Sequence, residues 1–389
     1  MTAAEAGLDL AAYRARLAGA MEQRGAWPER SAWIREAVEA LPRDLFAPDR
    51  LWRWDGHAYV PVDRHGDGPA WARELYGSPD DAAVTQVTGG LATSSLSCQA
   101  VVVDMLDSLL LDPGQRVLEL GTGAGWNCAL AAHRAAGDGL VTSVEVDPRL
   151  AAAARVRLEK AGSAARVRVG DGAAGWLAGA PYDRVIATYA VERVPFAWVE
   201  QCVPGGRVVT PWGRLGHVAL TVADDRRSAT GWMQGLAQFM PTRTGAAPAR
   251  TYRQIRGRSD PRHRRPVDRD LGPLRTDWDL RFALRVALPE LDVTTAVDSD
   301  GTSAWLHDGR DSWAALSART GGGAVAHQGG PRRLADALEA AWRQWEDDGR
   351  PDVYEYGMTV TPGGQFVWCR DPETGPRWPA SSRRPGVTG

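Results

Sequence analysis

Residues Val117 to Gly125 read Val-Leu-Glu-Leu-Gly-Thr-Gly-Ala-Gly, a buried-strand pattern running straight into glycines at every second position. Glycines so spaced let a backbone turn tightly and approach a ligand closely, and a helix that follows points its unpaired N–H groups at it. A pyrophosphate-binding turn reads GxGxxG. Here the third glycine falls one residue early, and Glu119 stands two residues before the first. A carboxylate there suits a cationic ligand. Glu145 comes near the end of Ser143-Val-Glu-Val146, 24 residues after Gly121, close to the roughly 20 expected of an acid that takes a ribose diol. Asp171 follows a third strand-like run, in Gly170-Asp171-Gly172, where a carboxylate accepts from an adenine amino group. Gly121, Thr122, Gly123 and Gly125, ringed by Glu119, Glu145, Val146, Asp171 and Gly172, describe a pocket for S-adenosylmethionine, which carries an ammonium and a sulfonium. The competing readings are a plain tight turn for the glycines taken alone and a surface acid for Glu145.

Such a pocket needs a scaffold that brings three strand ends together. Arg116–Leu120, Gly139–Val146, Arg166–Val169, Tyr182–Thr188 and Gly206–Pro211 read as strands, with His217–Ala223 continuing as strand. Gln99–Leu111, Trp126–Ala136, Pro148–Ala161 and Phe196–Cys202 read as helices between them. This alternation predicts an α/β domain over residues 80–225, a Rossmann-like doubly wound parallel sheet covered on both faces. Ligands of such sheets bind at the carboxyl ends of the strands, which is where the three acids are expected to meet. Upstream, residues 1–79 form a separate segment on the substrate side. Residues 8–47 read as two helices divided near Pro28 and ended by Pro42, and residues 50–92 as loops and short strands.

The bulk numbers exclude more than they assign. A net charge of −2 over 389 residues gives no general drive toward nucleic acid or an anionic membrane, so neither is expected as a partner. The N-terminus lacks a basic stretch followed by an apolar one, and no apolar run approaches a membrane span, so a cytoplasmic protein is expected. Cys98, Cys128, Cys202 and Cys369 are far apart and form no CxxC, which speaks against a disulfide framework or a metal site. His133 and His217 are read as structural. A monomer is the working expectation.

Two further segments carry a family resemblance. Leu41-Pro-Arg-Asp-Leu-Phe-Ala-Pro48 and Val87-Thr-Gly-Gly-Leu-Ala-Thr-Ser-Ser95 resemble the "VPRxxFVP" and "IGxGxTIS" segments of protein-L-isoaspartate O-methyltransferases. RVLELGTGAGWNCAL, VEVDP, VRVGDG, APYDRVIAT and VPGGRVVTP follow in the family's order, and the resemblance covers residues 8–222. It implies the class I methyltransferase fold, S-adenosylmethionine as donor and a peptide carboxylate as acceptor. It also implies that Ser94, with Thr93 and Ser95 beside it, lies between donor and substrate. Where the family continues with Pro and His, this chain reads Ser95-Leu-Ser-Cys-Gln-Ala100, so an altered acceptor pocket is expected. The alternative for Ser94 is a helix N-cap.

Beyond residue 225 the pattern weakens. Residues 243–269 hold nine arginines and two acids. Residues 226–275 are therefore read as a basic linker or solvated loop, with docking of an acidic peptide as the sharper alternative. Residues 276–378 are read as an α+β extension. In it Arg281–Pro289, Thr302–Asp308 and Ser312–Ser317 are strand-like, Pro331–Asp348 is a helix with Trp342 and Trp345 on its core stripe, and Met358–Val360 with Gln365–Trp368 makes a hairpin. Residues 379–389 are read as a disordered tail. The ending Tyr356–Trp368 resembles extended homologues that methylate aspartate in lanthipeptides or graspetides. The leading functional expectation is thus methylation of an aspartate in a modified or macrocyclic ribosomal peptide, leading to aspartimide. General isoaspartyl repair and a small-molecule carboxyl methyltransferase are the alternatives.

Overall fold

The computed structural model describes residues 8–213, 215–242, 250–320 and 323–380. Helices Leu10–Gln23 and Trp33–Ala40 open the chain. An antiparallel sheet follows, built from β1 (Arg50–Trp54), β2 (Tyr59–Asp63), β3 (Ala83–Thr88) and β4 (Leu91–Leu96) in the order β2-β1-β3-β4. Between β2 and β3 lies a helix, Gly68–Tyr76, where loops and strands were expected. Its start is written in the sequence: Asp67 accepts from the Ala70 N–H at 2.9 Å, and Pro69 occupies the first turn.

The central sheet begins with β5 (Val117–Leu120), β6 (Val141–Glu145), β7 (Arg166–Val169), β8 (Tyr182–Ala187) and β9 (Cys202–Trp212). These five pair in parallel, in the order β7-β6-β5-β8-β9. β5 and β6 are buried along their whole length, as strands covered on both faces must be. Helices Gln99–Leu109, Trp126–Ala135 and Pro148–Lys160 supply the cover, each within two residues of expectation. The chain runs outward from β5 through β6 to β7, then returns to place β8 on the other side of β5. That reversal opens a crevice at the carboxyl ends of these strands.

The sheet does not stop at residue 225. β10 (Gly216–Val222) and β11 (Ala229–Leu236) join antiparallel. A second antiparallel sheet, β12 (His263–Val267), β13 (Asp292–Asp298), β14 (Gly301–His307), β15 (Trp313–Ala318) and β16 (Ala324–Gly329), lies in the order β12-β16-β15-β14-β13. β17 (Tyr356–Thr361), β18 (Gly364–Cys369) and β19 (Arg377–Pro379) then return to the central sheet, with β17 pairing β11. One apolar core runs from Val185, Trp198 and Leu220 through Phe282, Leu316 and Leu338 to Met358. The extension is therefore built into the α/β domain and is not a unit set apart from it.

Three expectations change accordingly. The basic linker is ordered over much of its length. Tyr252–Arg256 is helical, β12 pairs β16, and Arg265 and Arg269 are spent on Asp336, Glu339 and Glu346. Residues 243–249 of that segment lie outside the described residues. β12 is an edge strand with Arg264 and Pro266 at its exposed positions and Arg265 half-buried on the other face, so it shows no apolar alternation. The run at 281–289 is helical over Trp278–Ala287. Its residues fit a period of 3.6 as well as 2, and the Asp277 carboxylate, accepting from the Leu280 N–H at 2.9 Å, decides for the helix. Of the tail, Pro379 closes β19 and residues 381–389 lie outside the described residues. Trp342 and Trp345 are core, and the Tyr356–Cys369 hairpin is present. Among the described residues no helix is long and apolar enough to cross a membrane, and no group of acids, histidines and cysteines could hold a metal ion.

Candidate active site

The crevice at the β5/β8 reversal is a cleft lined by the turns after β5, β6, β7 and β8, by β4, and by residues 238–242. Gly121, Gly123 and Gly125 all have φ between +53° and +95°, the left-handed region that only glycine enters without strain. Space demands glycine as well. A Cβ on Gly121 would stand 2.6 Å from Thr188 Oγ1, and one on Gly172 would strike the Tyr189 hydroxyl. Gly125 ends the loop at the start of the Trp126–Ala135 helix.

Two of the three acids face the cleft. Glu145 is 5 % exposed. Its Oε2 accepts from the Gly123 N–H at 2.9 Å and its Oε1 from the Asp147 N–H at 3.0 Å. One lone pair on each oxygen remains for hydroxyl donors. Asp171 is exposed in the cleft, with Oδ1 accepting from the Ala173 N–H at 2.9 Å. Val146 and Gly172 line the wall between them.

Glu119 is not in the cleft. It is fully buried, and its carboxylate accepts from Asn127 Nδ2 at 2.8 Å and from the Ser143 hydroxyl. The cause is strand geometry: successive side chains alternate faces, so Glu119 sits inside β5 and points sideways toward the helix, while Leu120 ends the strand. Burial pushes its carboxyl up to about 7 despite the donors from Ser143 and Asn127. Glu119 acts at one remove, by fixing Asn127 and Ser143; Asn127 lines the cleft, and Ser143 holds Thr122 Oγ1 at 2.5 Å. Gly125 shapes the loop and does not line the cleft either.

Thr93, Ser94 and Ser95 come to the cleft on β4. Ser94 lies within the strand, and Cys98 is the residue before the Gln99–Leu109 helix, so Ser94 is not a cap. A Cβ on Gly123 would be 3.7 Å from Ser94 Oγ, which places this hydroxyl directly across from the glycine loop. Thr93 Oγ1 is turned back to Gln86 Oε1 at 2.9 Å and pins β4 to β3. The far end of β4 is held by Arg43, a fully buried guanidinium that donates to the carbonyls of Leu75 (2.8 Å), Leu96 (3.3 Å) and Ser97 (2.9 Å). Arg43 stacks over Trp126, whose Nε1 donates to the Leu41 carbonyl at 2.8 Å. The Leu41–Pro48 motif thereby clamps the serine strand against the Trp126–Ala135 helix.

Sequence reading missed two groups. Thr188 and Tyr189 follow β8 directly, so the strand-end rule that found Glu145 and Asp171 points to them too. Thr188 Oγ1 donates to the Gly121 carbonyl at 2.5 Å, and Tyr189 packs edge-on against Trp198, whose Nε1 donates to the Gly172 carbonyl at 2.8 Å. Residues 238–242 carry no local signal. They reach the cleft because the Ala190 N–H donates to the Met240 carbonyl (2.8 Å) and the Thr242 N–H to the Ala190 carbonyl (3.1 Å), a contact across some 50 residues of chain.

Comparison with known proteins places this geometry. Residues 70–241 match the family model described as protein-L-isoaspartate(D-aspartate) O-methyltransferase. The chain is 38% identical over 195 residues to protein-L-isoaspartate O-methyltransferase 1 of Anaeromyxobacter sp. (strain Fw109-5), covering 50% of this chain and 78% of that protein. It is 37% identical over 186 residues to the protein-L-isoaspartate O-methyltransferase of Thermococcus onnurineus (strain NA1), covering 47% of this chain and 71% of that protein. Among solved structures, a protein-L-isoaspartate O-methyltransferase superposes with a TM-score of 0.52 at 20% identity, spanning 92% of this chain and 100% of the other. That likeness concerns the fold, and it takes in much of the extension. The fold is that of class I S-adenosylmethionine-dependent methyltransferases, and the chain belongs to the protein-L-isoaspartate O-methyltransferase family of carboxyl O-methyltransferases.

Proposed function

We propose that this protein methylates the free α-carboxylate of L-isoaspartyl residues in peptides and proteins, a repair-type reaction, with S-adenosylmethionine as donor. The observation that carries the reading is the juxtaposition of Ser94 Oγ with the Gly121–Gly125 loop over a cleft bearing Glu145 and Asp171. The cleft residues fit the donor. Glu145 keeps free lone pairs for a ribose diol, Asp171 and Tyr189 flank the position of a base, and the close contacts at Gly121 and Gly172 leave backbone alone against the ligand. When bound, the donor supplies a methyl group on a positively charged sulfur.

Little else is demanded of the protein. An acceptor carboxylate, with a pKa near 4, is ionised at neutral pH and needs no general base. The task is to orient it and keep water out. Ser94 donates to one carboxylate oxygen and leaves the other to attack. The apolar wall of Val102, Met105, Ile186 and Phe239 excludes solvent. The resulting methyl ester is a good electrophile. The next backbone nitrogen attacks its carbonyl, loses its proton and expels methanol, giving a succinimide whose hydrolysis returns aspartate in part.

The tailoring of a ribosomal peptide, expected from the chain's ending, finds no counterpart among the relatives compared, which bear the isoaspartate name. A direct test offers the purified protein an isoaspartyl hexapeptide, its aspartyl isomer and a macrocyclic aspartyl peptide with radiolabelled donor. Base-labile methyl incorporation confined to the isoaspartyl peptide is expected. Incorporation confined to the macrocycle would reverse the assignment.

A further inference from the structure

A second cavity adjoins the first. It lies on the seam between the central sheet, which contributes Glu192, Gly213 and Leu215, and the extension, which contributes Leu274, Arg281, Leu284 and Val293. Gln238 lines both cavities, so the two lie within one side chain of each other.

The charges in the seam are unequally satisfied. Arg285 is consumed by the Gly213 carbonyl at 3.0 Å, the Pro289 carbonyl and the Glu192 carboxylate. Asp292 stands 3.7 Å from His307 Nδ1. Arg281 differs. Its guanidinium lies 4.3 Å from the centroid of the Trp278 ring, and among the described residues no carboxylate lies within ion-pair distance of it. A stacked guanidinium keeps its edge N–H groups free for a planar anion. Its partial burial lowers its pKa, the mark of a cation short of a counter-charge. The walls around it are mostly leucine, proline and valine, a lining that receives a side chain's apolar stem while its charged end meets Arg281.

We propose that the seam cavity is a second subsite for the peptide substrate, taking an acidic side chain a few residues from the one methylated, with Arg281 as its anion-binding group. This rests on the peptide-carboxyl reading above. It gives the extension a role in selecting isoaspartyl sites that have acidic neighbours.

The test uses the full chain and a set of isoaspartyl peptides with a single glutamate two to five residues to either side of the isoaspartate, each matched by its glutamine counterpart. Methylation of the glutamine peptides by wild type tests the underlying reaction; KM ratios within the pairs test the subsite. At one position glutamate should lower KM by roughly 3- to 10-fold, as a partly exposed charge-assisted contact would, with kcat unchanged. Arg281→Gln should erase that ratio while leaving the glutamine peptides' kinetics and the melting temperature as in wild type. Arg281→Glu should favour a lysine peptide at the same position. Equal KM values for every pair in wild type, or a ratio that survives in Arg281→Gln, overturns the proposal even where the glutamine peptides are good substrates.

Discussion

Replacing Glu145 by glutamine tests the carboxylate proposed to take the donor's ribose diol. The side chain keeps its volume and its place, 5 % exposed at the end of β6. The wild-type oxygens each accept one backbone N–H, from Gly123 at 2.9 Å and from Asp147 at 3.0 Å. A glutamine can satisfy one of these donors and must turn its NH₂ toward the other. The charge that strengthens bonds to the ribose hydroxyls is lost as well. The unpaired backbone donor costs stability in free and bound protein alike, so the change in affinity is the loss of a hydrogen bond to a charged group, about 1.5–3 kcal/mol, or roughly 10- to 150-fold in Kd. Calorimetric titration with S-adenosylhomocysteine reads the change. The same titration with its 2′-deoxy analogue locates it: the analogue should bind wild type more weakly than the parent, and Glu145→Gln should bind both alike. A Kd within threefold of wild type, or a variant that still prefers the ribose form, would refute the diol assignment.

Other consequences can be checked in parallel. Ser94→Ala should cut kcat/KM for an isoaspartyl peptide by about 10- to 100-fold, the loss of one hydrogen bond to a carboxylate, while the S-adenosylhomocysteine Kd stays within twofold; an unaltered rate would remove Ser94 from the acceptor site. Arg43→Met should lower the unfolding free energy by about 3–5 kcal/mol, because two buried carbonyls and one part-buried one lose their donor, and a urea midpoint equal to wild type would show that the clamp on β4 is dispensable. His217 is fully buried and burial pulls its pKa down to about 4. The folded state then binds fewer protons than the unfolded one between about pH 4 and 6.5, so the contribution of neutral His217 is intact above 6.5 and is lost as pH falls toward 4, by roughly 3 kcal/mol at most. Asp104, 3.6 Å away and pushed up to about 6 by burial, works in the opposite sense. The observable is therefore the difference between wild-type and His217→Gln stability profiles, and parallel profiles across this window would contradict the assignment.

What the sequence made legible follows the range of the interactions involved. β5 to β8 and their helices were readable because each is specified by its own apolar period and its own caps, such as Asp147 accepting from Arg149 and Leu150 at the head of the Pro148–Lys160 helix. Glu145 and Asp171 were readable because a strand end in a wound sheet is also a ligand edge. Glu119 was misplaced by one step of the same logic. It precedes the last residue of β5, and the two-residue alternation of a strand sends it to Asn127 and not into the cleft. Residues 238–242 were illegible in principle, since they enter the cleft only through a bridge to Ala190 that no local pattern encodes. How the extension packs was not legible for the same reason. Strand β17 pairs with β11, more than a hundred residues earlier, and pairing partners at that separation leave no trace in either strand's own composition.

The shared sheet has a functional corollary. β11 hands the chain directly to residues 238–242, which line the methyl-transfer cleft, and β17 holds the outer edge of β11 in register at four residue pairs. The extension's hairpin thus braces the strand that delivers part of the acceptor wall. Gln365 of β18 makes a second tie across the fold, its Oε1 accepting from the Val194 N–H at 2.9 Å and its Nε2 donating to the Val194 carbonyl at 3.3 Å, in the loop that also carries Glu192 of the seam. Of the proposed donor residues, Glu145 closes β6 and Asp171 follows β7, and the proposed acceptor group Ser94 lies on β4, whereas residues 238–242 and the extension wall of the seam come from beyond residue 225. Because the extension shares one apolar core with the central sheet, weakening the β11–β17 pairing is expected to disturb the 238–242 wall before it disturbs the glycine loop.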